Sequence, residues 1–157
     1  MYSMVRWLTD EEQTTWMSYI RMRQRLDAAL AAGMGEDGLS MSDYEVLVAL
    51  SAAGGTMRAK ELGAEICWDK SRLSKHLSRM AARGLVDRCQ AAEDARGREV
   101  RLTDEGRQAL ETAAPNHVEL VRRLFMDEMS DAEARALRSL SAKVVSEVER
   151  TDLPGGI

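Results

Sequence analysis

The sequence predicts a mainly α-helical fold, α+β in class, with about six helices and one β-hairpin. Three observations predict it. Ala and Leu are abundant, and only two prolines, Pro115 and Pro154, interrupt the chain. Capping boxes recur ahead of apolar residues at helical spacing. One region, 85–102, switches to strand-like patterning on either side of a polar, glycine-containing loop. Seven aromatic residues against ten methionines give no support to a large β-sandwich.

Taken in order, the first helix opens at the capping box Thr9-Asp10-Glu11-Glu12. Trp16, Ile20, Leu26 and Leu30 follow mostly on one side, and Gly33 and Gly35 read as its stop. Leu39 precedes a second box, Ser42-Asp43-Tyr44-Glu45, and Val46, Leu47 and Leu50 supply that helix's apolar face. Gly54-Gly55 ends it, and Thr56 is placed to cap the next. The third helix covers about 58–66, with Leu62 and Ile66 four residues apart. After the turn Cys67-Trp68-Asp69, Asp69 is the N-cap of a fourth helix over about 70–83, closed by Gly84. Strands are expected at 85–89 and 99–102, joined by a loop at 90–98. A long helix is expected over 103–126, kinked at Pro115. The box Ser130-Asp131-Ala132-Glu133 opens the last helix, whose stripe is Leu137, Leu140, Val144 and Val148. The tail 151–157 is expected to fray. Short helices followed at once by a hairpin give the order of a winged helix-turn-helix.

Composition bounds the function. Hydrophobic residues make up 45% and charged residues 31%, a globular balance. No apolar run approaches the roughly 20 residues that span a bilayer, and the first residues lack a signal peptide's apolar core, so a cytoplasmic chain is expected. Two cysteines cannot build a disulfide framework, and free thiols suit a reducing compartment. His76 and His117 show no zinc-type spacing with Cys67 and Cys89, so no metal and no cofactor is expected. No phosphate loop, nucleophile elbow or catalytic carboxylate pair is visible, which disfavours an enzyme.

The net charge of −4 argues against a nucleic-acid partner until it is resolved along the chain. Residues 58–101 carry 11 Lys+Arg and 7 Asp+Glu, a balance of +4, and the remainder carries −8. The fourth helix is the sharpest feature. Leu73, Leu77, Met80 and Ala81 form one buried stripe. The other face carries Lys70, Arg72, Lys75, Arg79 and Arg83, with Ser71, Ser74 and Ser78 between and no acidic residue. Solvated helices ordinarily mix signs, because i,i+4 ion pairs help them. A single-sign face repels itself and points to an anionic partner. Long cations reach phosphates and guanine edges, and short hydroxyls permit close approach to the groove. His76 reads as a surface or DNA-facing residue of this helix, and Trp68 as a packing residue at the module's edge. Thr56 and Arg58 are candidate contacts to the DNA backbone.

The stretch Asp94-Ala95-Arg96-Gly97-Arg98-Glu99-Val100-Arg101-Leu102-Thr103-Asp104-Glu105-Gly106-Arg107 resembles the wing of the MarR (multiple antibiotic resistance regulator) family. That wing reads roughly D-x-R-x-x-x-V-x-L-T-x-x-G. Leu39-Ser40, Tyr44-Glu45-Val46-Leu47, Glu61-Leu62 and Arg83-Gly84-Leu85-Val86-Asp87-Arg88 agree with it. The resemblance implies a transcriptional regulator, a homodimer bound to a pseudo-palindromic operator in double-stranded DNA, most often as a repressor. It implies that the helix at 70–83 is the recognition helix, reading through Lys70, Ser71, Arg72, Ser74, Lys75, Ser78 and Arg79. It implies that Arg96, with Arg98, enters the minor groove, and that Asp94 holds a nearby arginine. An arginine at a hairpin tip is in any case drawn to the negative potential of a narrow A·T minor groove. Residues 39–106 would form the winged DNA-binding region. Residues 1–38 and 107–157 would form a helical dimerisation layer, since their apolar stripes exceed what a small winged helix can cover. A two-fold dimer would set its recognition helices about one DNA turn apart, roughly 34 Å.

The resemblance also implies a small, often aromatic effector. Trp16, Tyr19, Met22, Tyr44 and Trp68 are the candidate lining of its cleft, against ordinary packing. Two other readings remain. Cys67 or Cys89 could make the protein a thiol-based redox sensor, although the first helix carries no cysteine. The winged helix could also be a protein-interaction module without a DNA function.

Overall fold

The structure, a computed structural model, describes residues 5–35, 38–91 and 94–151, without the side chains of 90, 91 and 94–96. Among them run α1 (Asp10–Met34), α2 (Met41–Ala52), β1 (Thr56–Arg58), α3 (Ala59–Glu65) and α4 (Lys70–Ala82). Then come β2 (Val86–Ala91), β3 (Asp94–Leu102), α5 (Asp104–Val121), a π-helical turn (Arg122–Met126) and α6 (Asp131–Arg150). The mainly helical class and the hairpin match the expectation. Of the tail expected at 151–157, residues 152–157 lie outside the described residues.

Three N-caps fall where the residues place them. The Glu12 backbone N–H donates to Thr9 Oγ1 at 3.2 Å, and Thr9 N–H donates back to Glu12 Oε2 at 2.8 Å. Ser130 and Glu133 repeat the arrangement, and Asp69 Oδ1 accepts from Arg72 N–H at 2.9 Å. The second box is different. Ser40, not Ser42, caps α2: Asp43 N–H donates to Ser40 Oγ, and Ser40 N–H donates to Asp43 Oδ2, both at 3.0 Å. Thr56 does not cap α3. It begins β1, and Arg58 takes the cap position, its N–H donating to Glu61 Oε2 at 3.3 Å. Gly33 is not a stop either; it lies inside α1, where a Cβ would collide with the Leu120 side chain of α5. Asn116 Nδ2 donates to Gly33 O at 3.1 Å and fixes that crossing. α5 runs through Pro115, and the π-helical turn follows it.

The sheet is antiparallel in the order β1-β3-β2, with Thr56 opposite Arg101 and Val86 opposite Leu102. Both wing strands reach further toward the tip than 85–89 and 99–102. Val46, Leu47 and Leu50 of α2, Leu62 of α3, and Leu73, Leu77 and Met80 of α4 pack with Val86, Val100 and Leu102 of the sheet in one core. Thr103 locks the wing to α5. Its hydroxyl is shared between Gly84 O (2.6 Å) and Leu85 O (3.0 Å) and accepts from Gly106 N–H at 2.9 Å. A Cβ at Gly106 would strike Leu85 O, the physical reason the Leu-Thr-x-x-Gly pattern ends in glycine. α6 buries none of its side chains in this chain.

Candidate nucleic-acid interface

The core stripe of α4 turns its opposite side to solvent. Leu73, Leu77 and Met80 are buried, whereas Lys70, Ser71, Arg72, Lys75 and Arg79 are exposed. Lys70 and Arg72 lie in the first turn, where the helix dipole is positive and favours anions over cations. Only Asp69, the cap, opposes them there. This arrangement costs stability in the free protein and suits a polyanion, because helix N-termini and cations together bind phosphate.

Other polar residues of the helix are engaged within the chain. Arg88 of β2 donates through Nη1 to Ser74 O (3.3 Å) and Ser78 Oγ (2.9 Å), and through Nη2 to Ser74 Oγ (3.4 Å). Ser74 and Ser78 therefore fasten the wing to α4 rather than standing free for base edges. Arg83 is also committed: Nη1 donates to Asp43 Oδ2 at 2.7 Å and Nη2 to Gly38 O at 3.0 Å. His76 is not a surface residue. Its side chain is 11% exposed, with Nε2 2.9 Å from Asp43 Oδ1 but without the alignment of a hydrogen bond. Arg79 Nη2 lies 3.3 Å from His76 Nδ1. Part of the polar face of the cationic helix is thus committed to a network within the chain that charge counting does not reveal.

Burial works to raise the pKa of Asp43, but the Arg83 hydrogen bond, the Ser40 N–H and the charges of Arg83 and His76 outweigh it. The carboxyl is held below its ordinary value, and Asp43 stays ionised inside the module. In the wing, Arg98 is exposed on β3, while the side chains of Asp94 and Arg96 lie outside those described. Thr56 and Arg58 are both exposed on β1, at the N-terminal side of α3.

The family model described as MarR family matches residues 37–97, the segment that contains this helix, β2 and the start of β3. AbsC, a MarR family transcriptional regulator from Streptomyces coelicolor, is 34% identical, with 94% of this chain and all of that chain covered at a TM-score of 0.89. The chain belongs to the MarR family. A second structure, Sco3205, a MarR family regulator from the same organism in complex with DNA, is 32% identical. It covers 98% of this chain and 97% of its own at a TM-score of 0.88. Among curated relatives, the HTH-type transcriptional regulator YdgJ of Bacillus subtilis is 26% identical over 115 residues, 73% of this chain and 69% of that protein.

The candidate effector residues of this MarR family regulator do not form one cleft. Tyr44 and Trp68 are buried in the winged-helix core, Tyr44 against His117 with ring centroids 4.5 Å apart. Trp16 and Tyr19 are exposed on α1 and touch each other at 5.7 Å. Only Met22 of the five lines a groove of about 540 Å³ between α1, the π-helical turn and α6. Leu26, Leu124, Phe125 and Leu137 line its floor, with Arg25 and Glu133 also present. Residues 124 and 125 come from the π-helical turn, which nothing in the local sequence signals. Cys67 is exposed in the helix-turn-helix turn with a left-handed φ of 56°. Cys89 is half-buried, and Arg101 Nη2 donates to its Sγ at 3.4 Å. Among the described residues no three His, Cys, Asp or Glu side chains group as a metal site, and no helix is long and apolar enough to cross a membrane.

Proposed function

We propose that this MarR family regulator binds a pseudo-palindromic operator in double-stranded DNA as a homodimer and represses transcription until a small aromatic molecule releases it. The observation that carries the reading is the acid-free cationic face of α4, exposed, with Lys70 and Arg72 set against the helix dipole in the first turn. In this reading Lys70, Ser71, Arg72, Lys75 and Arg79 face the major groove, and Ser74 and Ser78 hold the helix to the wing. Asp94, Arg96 and Arg98 serve the minor groove, and Thr56 and Arg58 lie along the phosphate backbone. The DNA complex of the 32%-identical Sco3205 supports it.

Residues 39–106 are the reading module, and residues 1–38 and 107–157 the dimerisation layer. Unpartnered apolar side chains support that division: Trp7 is 83% exposed, Leu140 59% and Val144 53%. A helix as amphipathic as α6 with none of its residues buried needs a cover, and a second copy supplies a matching stripe. The groove between α1 and α6 supports a small-molecule effector, its volume lying within the roughly 300–1,000 Å³ of ligand pockets. A thiol-based release is the second reading, favoured by the Arg101–Cys89 contact and the exposure of Cys67.

A gel shift with a randomised duplex pool and duplexes selected from it tests the function. The expected result is binding that weakens steeply between roughly 50 and 200 mM salt, because bound cations release counterions from DNA. Absent or salt-insensitive binding would leave the protein-interaction reading in its place.

A further inference from the structure

Arg72 is not loose on the surface of α4. Its Cζ lies 3.8 Å from the centroid of the Trp68 ring. Indole is the aromatic face that attracts a cation most strongly. Stacking engages only the face of the guanidinium, so the N–H donors around its planar edge stay free. Guanine presents two acceptors, O6 and N7, to such an edge in the major groove.

The platform is itself anchored. Trp68 is 8% exposed, and its backbone N–H donates to Gly63 O at 2.9 Å. Its ring meets His76 edge-on at 5.3 Å, and His76 abuts Asp43 of α2. The Arg72 backbone is held by Asp69 at the helix cap. Contacts thus fix Arg72 at its backbone and at its guanidinium, while the intervening stem would otherwise rotate freely.

We infer that Trp68 is a positioning residue: it sets the plane of the Arg72 guanidinium so that its donor edge meets guanine in the operator. This rests on the DNA-reading role of α4 proposed above. Trp68 thereby determines base specificity without touching a base. Leucine at 68 would keep a smaller apolar side chain in the core and offer no π-face.

The test uses the full chain and a duplex selected by it from a randomised pool. Affinities are measured for that duplex, for copies with single base-pair changes, and for the unselected pool. The variants are Trp68→Leu, Trp68→Phe, Arg72→Ala and the double variant Trp68→Leu/Arg72→Ala, each checked for its fold by circular dichroism. Trp68→Leu is expected to lose roughly 3- to 30-fold of discrimination at the base pair where Arg72→Ala loses it, the range of a cation–π contact. Trp68→Phe retains part of the discrimination, affinity for the unselected pool changes little, and the double variant is no worse than Arg72→Ala. Equal loss on every duplex, or a full further loss in the Arg72→Ala background, overturns the inference. If Trp68→Leu does not fold, Trp68→Phe carries the same comparison, and undiminished discrimination in it overturns the inference. A wild-type chain that selects no duplex refutes the DNA-reading role itself, and this inference with it.

Discussion

Arg83 at the end of α4 donates to the buried Asp43 of α2 at 2.7 Å, across 40 residues of sequence. The same carboxylate accepts from Ser40 N–H and faces His76 of α4 at 2.9 Å. One side chain thus closes the α2 capping box and meets two residues of the reading helix. The position of the cationic face relative to the core depends on this carboxylate as well as on apolar packing.

Asp43→Ala is expected to cost about 2–4 kcal/mol of stability, because it removes a cap and strands a buried partner. Arg83→Ala should cost only about 1 kcal/mol, since its side chain is 45% exposed and water replaces much of what it gives. Urea unfolding measures both, and a larger loss from Arg83→Ala than from Asp43→Ala would reverse the assigned roles.

Two groups contribute to the acid limb of stability, the half-buried His117 and the buried Asp43. Burial lowers the pKa of His117 below its ordinary 6.5, so the unfolded chain binds the proton more readily. Its contribution is complete above pH 6.5 and falls as pH drops through the folded value. Asp43, also lowered, contributes fully above its ordinary 3.8 and loses that contribution at still lower pH. His117→Gln should flatten the slope of stability just below pH 6.5 and leave the more acidic loss in place. An unchanged slope in thermal unfolding across that window would show that His117 does not carry it.

Reading and anchoring should separate by residue. Arg72→Ala is expected to relax base preference, with a cost of about 1–3 kcal/mol on the preferred duplex. Arg96→Ala should weaken binding while leaving the major-groove preference nearly intact. Binding to a panel of single base-pair variants distinguishes them, and uniform loss from Arg72→Ala would contradict its role.

Val144→Glu places a charge in the exposed α6 stripe and is expected to turn a dimer into a monomer by light scattering, with little change in helix content. A wild-type chain that is already monomeric at micromolar concentration would refute the dimerisation layer.

Much of this was legible in the sequence because helix ends are local. Thr9, Asp69 and Ser130 each sit three residues before the N–H they accept, within reach of any short-window reading. Ser40 and Ser42 defeat such a reading, since each has an acidic residue three positions on; the choice follows from Asp43 being held by Arg83 far along the chain. β1 has three residues and exists through pairing with β3, more than 40 positions away. Charge counting found the basic helix but could not tell which polar groups turn inward. His76 does so, and Arg83, Arg88, Ser74 and Ser78 are tied to partners on other elements or across the fold, Arg83 and Ser78 while still exposed.

The central claim is that the exposed cations of α4 hold phosphate-bearing DNA. The salt dependence of binding to the selected duplex tests it most directly, compared between the wild-type chain and the double variant Lys75→Ala/Arg79→Ala. The logarithm of the binding constant should fall linearly with the logarithm of salt concentration, and the double variant's slope should be shallower by about two per protomer. An identical slope in the two proteins, or a slope near zero in the wild type, would contradict the claim.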